Sequence, residues 1–240
     1  MIDFSYDSYR ALLQHIQACG HAIGPLRDVP AAGGYVILRH DIDYSVAKAL
    51  EMAEVEHALG VRATVFLMFS SPYYNVLDRD TLQMARRLAE LGHEIGLHFD
   101  TDAIAGTTAE DMAASIAHQA RFLAETTGTP VTSVAQHNPS VTSTRVRVPG
   151  YVDAYDAEYC QQMAYLSDSR RIFRVPDVYR FFEEHERCQL LIHPLWWNRE
   201  SRTRRESFAA VRAEILSRVD SRLAEITQSM EADERRMRTG

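Results

Sequence analysis

The spacing of apolar positions along the chain changes several times, and each change marks an element. From Tyr6 to Ala18 it is helical. "YVILRHD" is then a continuous apolar run ending in polar residues, the pattern of a buried strand. Ser45 is placed to cap a helix with Val46, Ala49, Leu50 and Ala53 on one side, and Gly60 stops it. "RATVFLMF" predicts a second strand. Asp80 can cap the next helix, which carries Leu82, Ala85 and Leu88 and stops at Gly92, and "HEIGLHF" predicts a third strand. The order to this point is βαβαβ.

Thr107 and Glu110 stand at capping-box spacing before a helix with Met112, Ile116 and Leu123 on one side, and "VTSVAQH" predicts another strand. "NPSVTSTRVRVPGYVDAYDAE" breaks the alternation; its Pro, Gly, Ser and Thr content predicts a long ordered loop of the kind that lines an active site. "MAYLSDS" and "CQLLIHP" read as later strands, with the short helix "VYRFFEEH" between them. From Arg204 to Arg238, Val211, Ile215, Val219, Leu223, Ile226 and Met230 form one apolar stripe on a long helix or on two broken ones. The expected division is a strand-helix unit over residues 1–203 and a helical extension over 204–240. That extension either packs on the outside of the first unit or pairs between molecules to make a homo-oligomer.

Repeated strand-helix units imply an α/β fold with a parallel sheet, either a (β/α) barrel or an open doubly wound sheet. In both, ligands bind at the carboxyl ends of the strands. A chain of 240 residues with 46% hydrophobic content can bury a full core. Its formal charge of −7 is spread along the chain, which argues against nucleic acid or an anionic membrane as a partner. No run of about 18 apolar residues occurs, and the N-terminus lacks a secretory pattern, so a cytoplasmic protein is expected. Cys19, Cys160 and Cys188 are odd in number and widely spaced, and read as reduced structural thiols.

Four apolar runs deliver ionisable groups to the carboxyl edge: "VILRHDID", "EIGLHFDTD", "SVAQHNPS" and "LLIHPLWW". Asp41 and Asp43, at i and i+2, point the same way while His40 leans to the other side. Two carboxylates that close repel, and a divalent cation relieves the repulsion; the plainer reading is that Asp43 caps the next helix. His98, followed by Asp100 and Asp102, gives a second strand end with metal-compatible groups. An oxygen and imidazole set suits zinc, with cobalt, nickel, iron or manganese also compatible. Trp196 and Trp197, the chain's only tryptophans, follow His193 and can offer flat faces to a sugar ring or serve as core.

Together, "RHDID", "ALGVRATVF", "LAELGHEIGLH" and "LLIHP" resemble the polysaccharide deacetylases of the NodB-homology type, carbohydrate esterase family 4, from about Val36 to Pro194. The resemblance implies a distorted (β/α) barrel that hydrolyses an N-acetyl group from an amino sugar with one divalent metal, zinc first among the candidates. Asp41 would be the general base, Asp43 and His98 metal ligands, and His193 the general acid. The family's HxxxH has Asp102 in its second histidine position, so either Asp102 or His137 is the third ligand; His137 restores the usual set of two nitrogens and one oxygen. The family's RxPYG arginine is missing, leaving Arg145, Arg147 or Arg171 to orient Asp41. Asp168 stands for the acidic residue of the fourth motif and, with Trp196 and Trp197, is expected to face substrate. "HDxD" with "IHPLWW" is most similar to a cytoplasmic, WbmS-like branch found beside genes for bacterial O-antigen synthesis. That implies a small amino-sugar or nucleotide-sugar substrate. Another metal-dependent C–N hydrolysis, or sugar binding without catalysis, are the alternatives.

Overall fold

The computed structural model describes residues 2–104, 108–142 and 144–239. It divides into two units, Met1–Arg202 and Thr203–Gly240. In the first, α1 (Tyr6–Ala18) is followed by β1 (Ala22–Gly24), β2 (Tyr35–Ile42), α2 (Val46–Ala58), β3 (Thr64–Met68), α3 (Arg79–Glu90), β4 (Glu94–Phe99) and α4 (Ala109–Thr127). Then come β5 (Ser133–Gln136), β6 (Val152–Asp153), α5 (Ala157–Cys160), β7 (Ala164–Ser167), α6 (Val178–Glu184) and β8 (Arg187–Ile192).

All pairings are parallel, in the order β6-β5-β4-β3-β2-β8-β7, with β1 added beside the start of β2. Laid flat, β8 and β6 would be five strand spacings apart, roughly 24 Å at about 4.8 Å each. Yet the Gln189 amide of β8 donates to Ala154 O, just after β6, at 3.0 Å. The sheet is therefore strongly curled, and the fold is a distorted, incompletely closed (β/α) barrel. No β6–β7 ladder joins its two edges among the described residues.

The curl sorts β2 by parity. Tyr35 and Ile37 join Leu26, Phe66, Ala135, Ala154 and Met163 in the barrel interior. Ile42 packs outward with Val46, Ala49 and Ala53 of α2, in the larger core between sheet and helices. Both faces are covered, so every residue of β2 is buried. His40 points outward and meets the buried Glu56 of α2 at 2.7 Å, where the Tyr9 hydroxyl also donates at 2.6 Å. Gly96 of β4 leaves space the interior needs: a Cβ there would stand 2.5 Å from the Phe66 ring. At the closed end, Glu94 accepts from Thr64 Oγ1 and Ser133 Oγ, tying β3, β4 and β5.

Helix starts follow local chemistry. Ser45 caps α2 as expected, accepting from Lys48 N. α3 is capped by Asp78 rather than Asp80, whose own N–H is the donor. α4 is capped by Thr108, which accepts from Asp111 N; Thr107, the expected cap, lies outside the described residues. In the second unit, α7 (Arg204–Thr239) begins with a capping box: Thr203 N donates to Glu206 Oε2, and Glu206 N to Thr203 Oγ1. On α7, Val219, Leu223, Ile226 and Met230 of the apolar stripe are exposed. Among the described residues no helix is long and apolar enough to cross a membrane. The three cysteines are free thiols.

Candidate active site

The carboxyl ends of β2, β4, β5 and β8 open into one pocket of about 300 Å³, whose wall includes Asp41, Asp43, His98, His137 and His193. Asp41 and Asp43 reach it through the alternation of β2. His98 does so from β4. Its Nδ1 lies 2.9 Å from Ala135 O, a carbonyl that accepts the Nδ1–H and leaves Nε2 unprotonated toward the pocket. His137 follows β5, and its backbone N–H extends the ladder by donating to Phe99 O at 2.7 Å.

Asp43 Oδ1 lies 3.3 Å from both His98 Nε2 and His137 Nδ1, and those two nitrogens are 3.2 Å apart. Burial alone would raise the Asp43 carboxyl, but the two imidazoles hold it below the usual range. The same buried Oδ1 has no well-formed hydrogen bond. A buried carboxylate oxygen without a donor and two imidazole nitrogens, all within 4.8 Å of one another, fit a divalent cation. Asn138 Nδ2 stands 2.8 Å from His137 Nε2, the ring nitrogen turned away from Asp43. Asp102 is not part of this group. It is exposed, and its N–H is capped by Asp100 Oδ1 at 3.0 Å.

Asp41 is buried, and its guanidinium partner comes from its own strand. Arg39 Nε donates to Oδ1 at 2.8 Å and Arg39 Nη2 to Oδ2 at 2.7 Å. Arg39 is fully buried and further held by Gln189 Oε1 at 3.2 Å and Tyr155 OH at 2.9 Å, with its guanidinium 4.4 Å from the Tyr155 ring centre. Burial pushes the Asp41 carboxyl up, and Arg39 and His98 more than offset this, so it is ionised. Arg145, Arg147 and Arg171 do not orient it. Arg171 bonds Asp3 O and Ser201 Oγ, Arg145 stacks on Tyr155, and Arg147 is exposed. Arg39 was readable, because i−2 in a strand shares the face of Asp41.

His193 lies 17% exposed at the end of β8, with Nδ1 2.6 Å from Asp168 Oδ1. Asp168 also accepts from His193 N and, at 2.8 Å, from Trp197 Nε1. Burial disfavours the imidazolium, but the Asp168 carboxylate outweighs it and lifts His193 to about 9. Asp168 is fully buried, so it orients His193 and does not face substrate. Nor do the tryptophans. Trp197 is fully buried, its ring 5.0 Å from those of Phe4 and Tyr9, and Trp196 is 6% exposed and off the pocket wall. A buried indole N–H needs an acceptor, and Asp168 supplies it.

Tyr155, Tyr165, Ser167, Ser169 and Arg174 also line the pocket. The last two flank a strained segment: Arg170 and Arg171 are both left-handed, at φ 61° and 59°, a conformation that costs a non-glycine residue about 1–2 kcal/mol. Asn138 and Pro139 of the loop expected to line a site also border the pocket.

No protein-family model and no curated protein matches the sequence. Solved structures match the carbohydrate esterase family 4 fold at low identity. The peptidoglycan deacetylase PdaC from Bacillus subtilis is 17% identical with a TM-score of 0.46, over 88% of this chain and 100% of that one. The Xyl-CE4 domain of a xylanase from the Trinervitermes trinervoides hindgut metagenome is 14% identical with a TM-score of 0.47, over 80% and 85%. BA3943 from Bacillus anthracis, a family 4 pseudoenzyme, is 17% identical with a TM-score of 0.47, over 80% and 67%.

Proposed function

We propose that the protein is a metal-dependent amide hydrolase that removes an acyl group, N-acetyl first among the candidates, from an amino sugar or nucleotide-sugar precursor. The observation that carries this reading is a pair of proton-transfer groups held in opposite states beside one ligand trio. Arg39 keeps Asp41 ionised and Asp168 keeps His193 protonated, on the wall of the pocket that also holds Asp43, His98 and His137.

A divalent cation at that trio supplies Lewis acidity toward the acyl oxygen and toward water. Asp41 takes the proton from the attacking water, with Arg39 fixing both of its oxygens. His193 then gives a proton to the departing sugar nitrogen, while Asp168 holds the ring by Nδ1 so that Nε2 is the donor. The amine leaves neutral and the acyl group leaves as a carboxylic acid, and the proton held by Asp41 returns to His193 through solvent, restoring both groups. The cytoplasmic setting, the soluble precursor and a place in O-antigen synthesis belong to this proposal and draw support from the resemblance of the "HDxD" and "IHPLWW" motifs.

The test is amine release from N-acetylated amino sugars by protein purified without a metal-binding tag, with metal content measured in parallel. Amine release that chelation abolishes and one divalent metal restores is expected. Metal-replete protein that releases no amine from any N-acyl sugar, free or nucleotide-linked, overturns the hydrolase reading and leaves sugar binding in its place.

A further inference from the structure

Arg174 is exposed on the pocket wall and makes no hydrogen bond or ion pair among the described residues. Every other charged group on that wall has a partner. Asp41 is matched by Arg39 and His193 by Asp168. The Asp43 charge is met by its two imidazoles and, when loaded, by the cation. The pocket of an otherwise acidic chain therefore holds one uncompensated guanidinium.

Its placement is built. The segment from Ser169 to Arg174 begins directly after Asp168 and passes through two consecutive left-handed arginines. Such conformations persist only where surrounding contacts over-determine them. Here those contacts are specific: Arg171 Nη2 donates to Asp3 O at 3.0 Å and to Ser201 Oγ at 3.1 Å, its guanidinium sits 4.5 Å from the Phe4 ring centre, and Phe173 stacks on Phe4 at 5.8 Å. With Arg171 and Phe173 clamped, Arg174 lines the pocket. Ser167 and Ser169, whose hydroxyls are 2.6 Å apart, stand on the same wall as further donors.

We infer that Arg174 is a specificity-determining residue and that the substrate carries an anionic group, a carboxylate or a phosphate, on the sugar whose amide is cut. A guanidinium pairs with the planar or forked oxygens of either group through two parallel N–H donors. This rests on the amide-hydrolase reading for the identity of the sugar, though not for the anion site itself.

The test uses three probes on metal-loaded protein: N-acetylglucosamine, its 1-phosphate and its uronic acid. Binding is read by calorimetry and turnover by amine release, for the wild type, Arg174→Gln and Arg174→Lys. At least one anionic probe is expected to bind wild type about 10–100-fold more tightly than the neutral sugar, the range of a charge-assisted hydrogen-bonded contact. Arg174→Gln should erase that preference and leave metal content unchanged, and Arg174→Lys should keep part of it. A preference for phosphate over uronate, or the reverse, tells the two sources apart. Equal or absent binding of all three probes by wild type, or an anion preference that survives in Arg174→Gln, overturns the inference. An Arg174-dependent preference without amine release from any probe or other N-acyl sugar sustains the anion site and overturns the hydrolase reading alone.

Discussion

Asp168→Asn isolates what the buried carboxylate does for His193. In the wild type the imidazole titrates near 9 against an ordinary 6.5, because Asp168 stabilises the charged ring more than burial penalises it. That rise corresponds to about 3 kcal/mol at 1.36 kcal/mol per unit. Asparagine keeps the shape and an acceptor for Nδ1–H but removes the charge, so burial is then opposed only by Asp43 and Asp41 and the ring falls from about 9 toward its ordinary 6.5. At pH 8 a group with a pKa of about 9 is about nine-tenths protonated and one at 6.5 about 3%, which makes the expected loss of general-acid turnover about 30-fold. At pH 6 the loss from this cause is small. The stability effect has the same sign. The folded pKa lies above the unfolded one, so the stabilisation is fully present below pH 6.5 and is lost as pH rises through about 9. The variant should lack that slope. The assays are kcat against pH, NMR titration of His193 and thermal unfolding at pH 6 and pH 9. A basic limb that stays near 9 in Asp168→Asn, or an equal loss at pH 6 and pH 8, refutes the reasoning.

Three further outcomes follow from the contacts. His137→Ala should weaken metal binding on the order of 10–100-fold or more, as Asp43→Ala and His98→Ala do, while Asp102→Ala does not; equilibrium dialysis with elemental analysis reads the ranking. Arg39→Met leaves a buried carboxylate without its partner and should cost about 3–5 kcal/mol in urea unfolding, whereas unchanged stability would show that Asp41 does not depend on it. Trp197→Phe removes a donor to Asp168 and should cost about 1–3 kcal/mol of stability, with KM for the sugar unchanged; a raised KM at full stability would restore the tryptophan to the substrate.

The strand-helix alternation was legible because each strand of the barrel is an apolar run and each helix has a polar face. The cluster of Asp43, His98 and His137, which could hold a metal ion, was legible too, since His98 and His137 stand at the ends of adjacent strands and Asp43 shares a face with Asp41. What failed were inferences about who meets whom across the curl. Trp196 and Trp197 look like a sugar platform in a linear reading, yet the turn after His193 folds them into the core, where one indole serves Asp168. The arginine that steadies Asp41 was sought in distant loops when strand parity already put Arg39 beside it. β1 and β6, three and two residues long, are too short to carry a periodic signal.

The open seam of the barrel has a consequence for where the molecule can change. β2 is paired along both sides, so exposing its amides to exchange requires breaking two ladders at once, whereas β6 and β7 each have one free edge. Hydrogen exchange should thus be slowest in the strand that carries Arg39, Asp41 and the approach to Asp43, and fastest at the two lips of the seam. Tyr155 stands on one lip, and Ser167 and Ser169 on the other. Asp41 and its Arg39 partner are anchored to the part of the barrel that opens least, and the rim residues Tyr155, Ser167 and Ser169 to the part that opens first. Substitutions at either lip would thus reshape the rim of the pocket without disturbing the strand that holds Arg39 and Asp41.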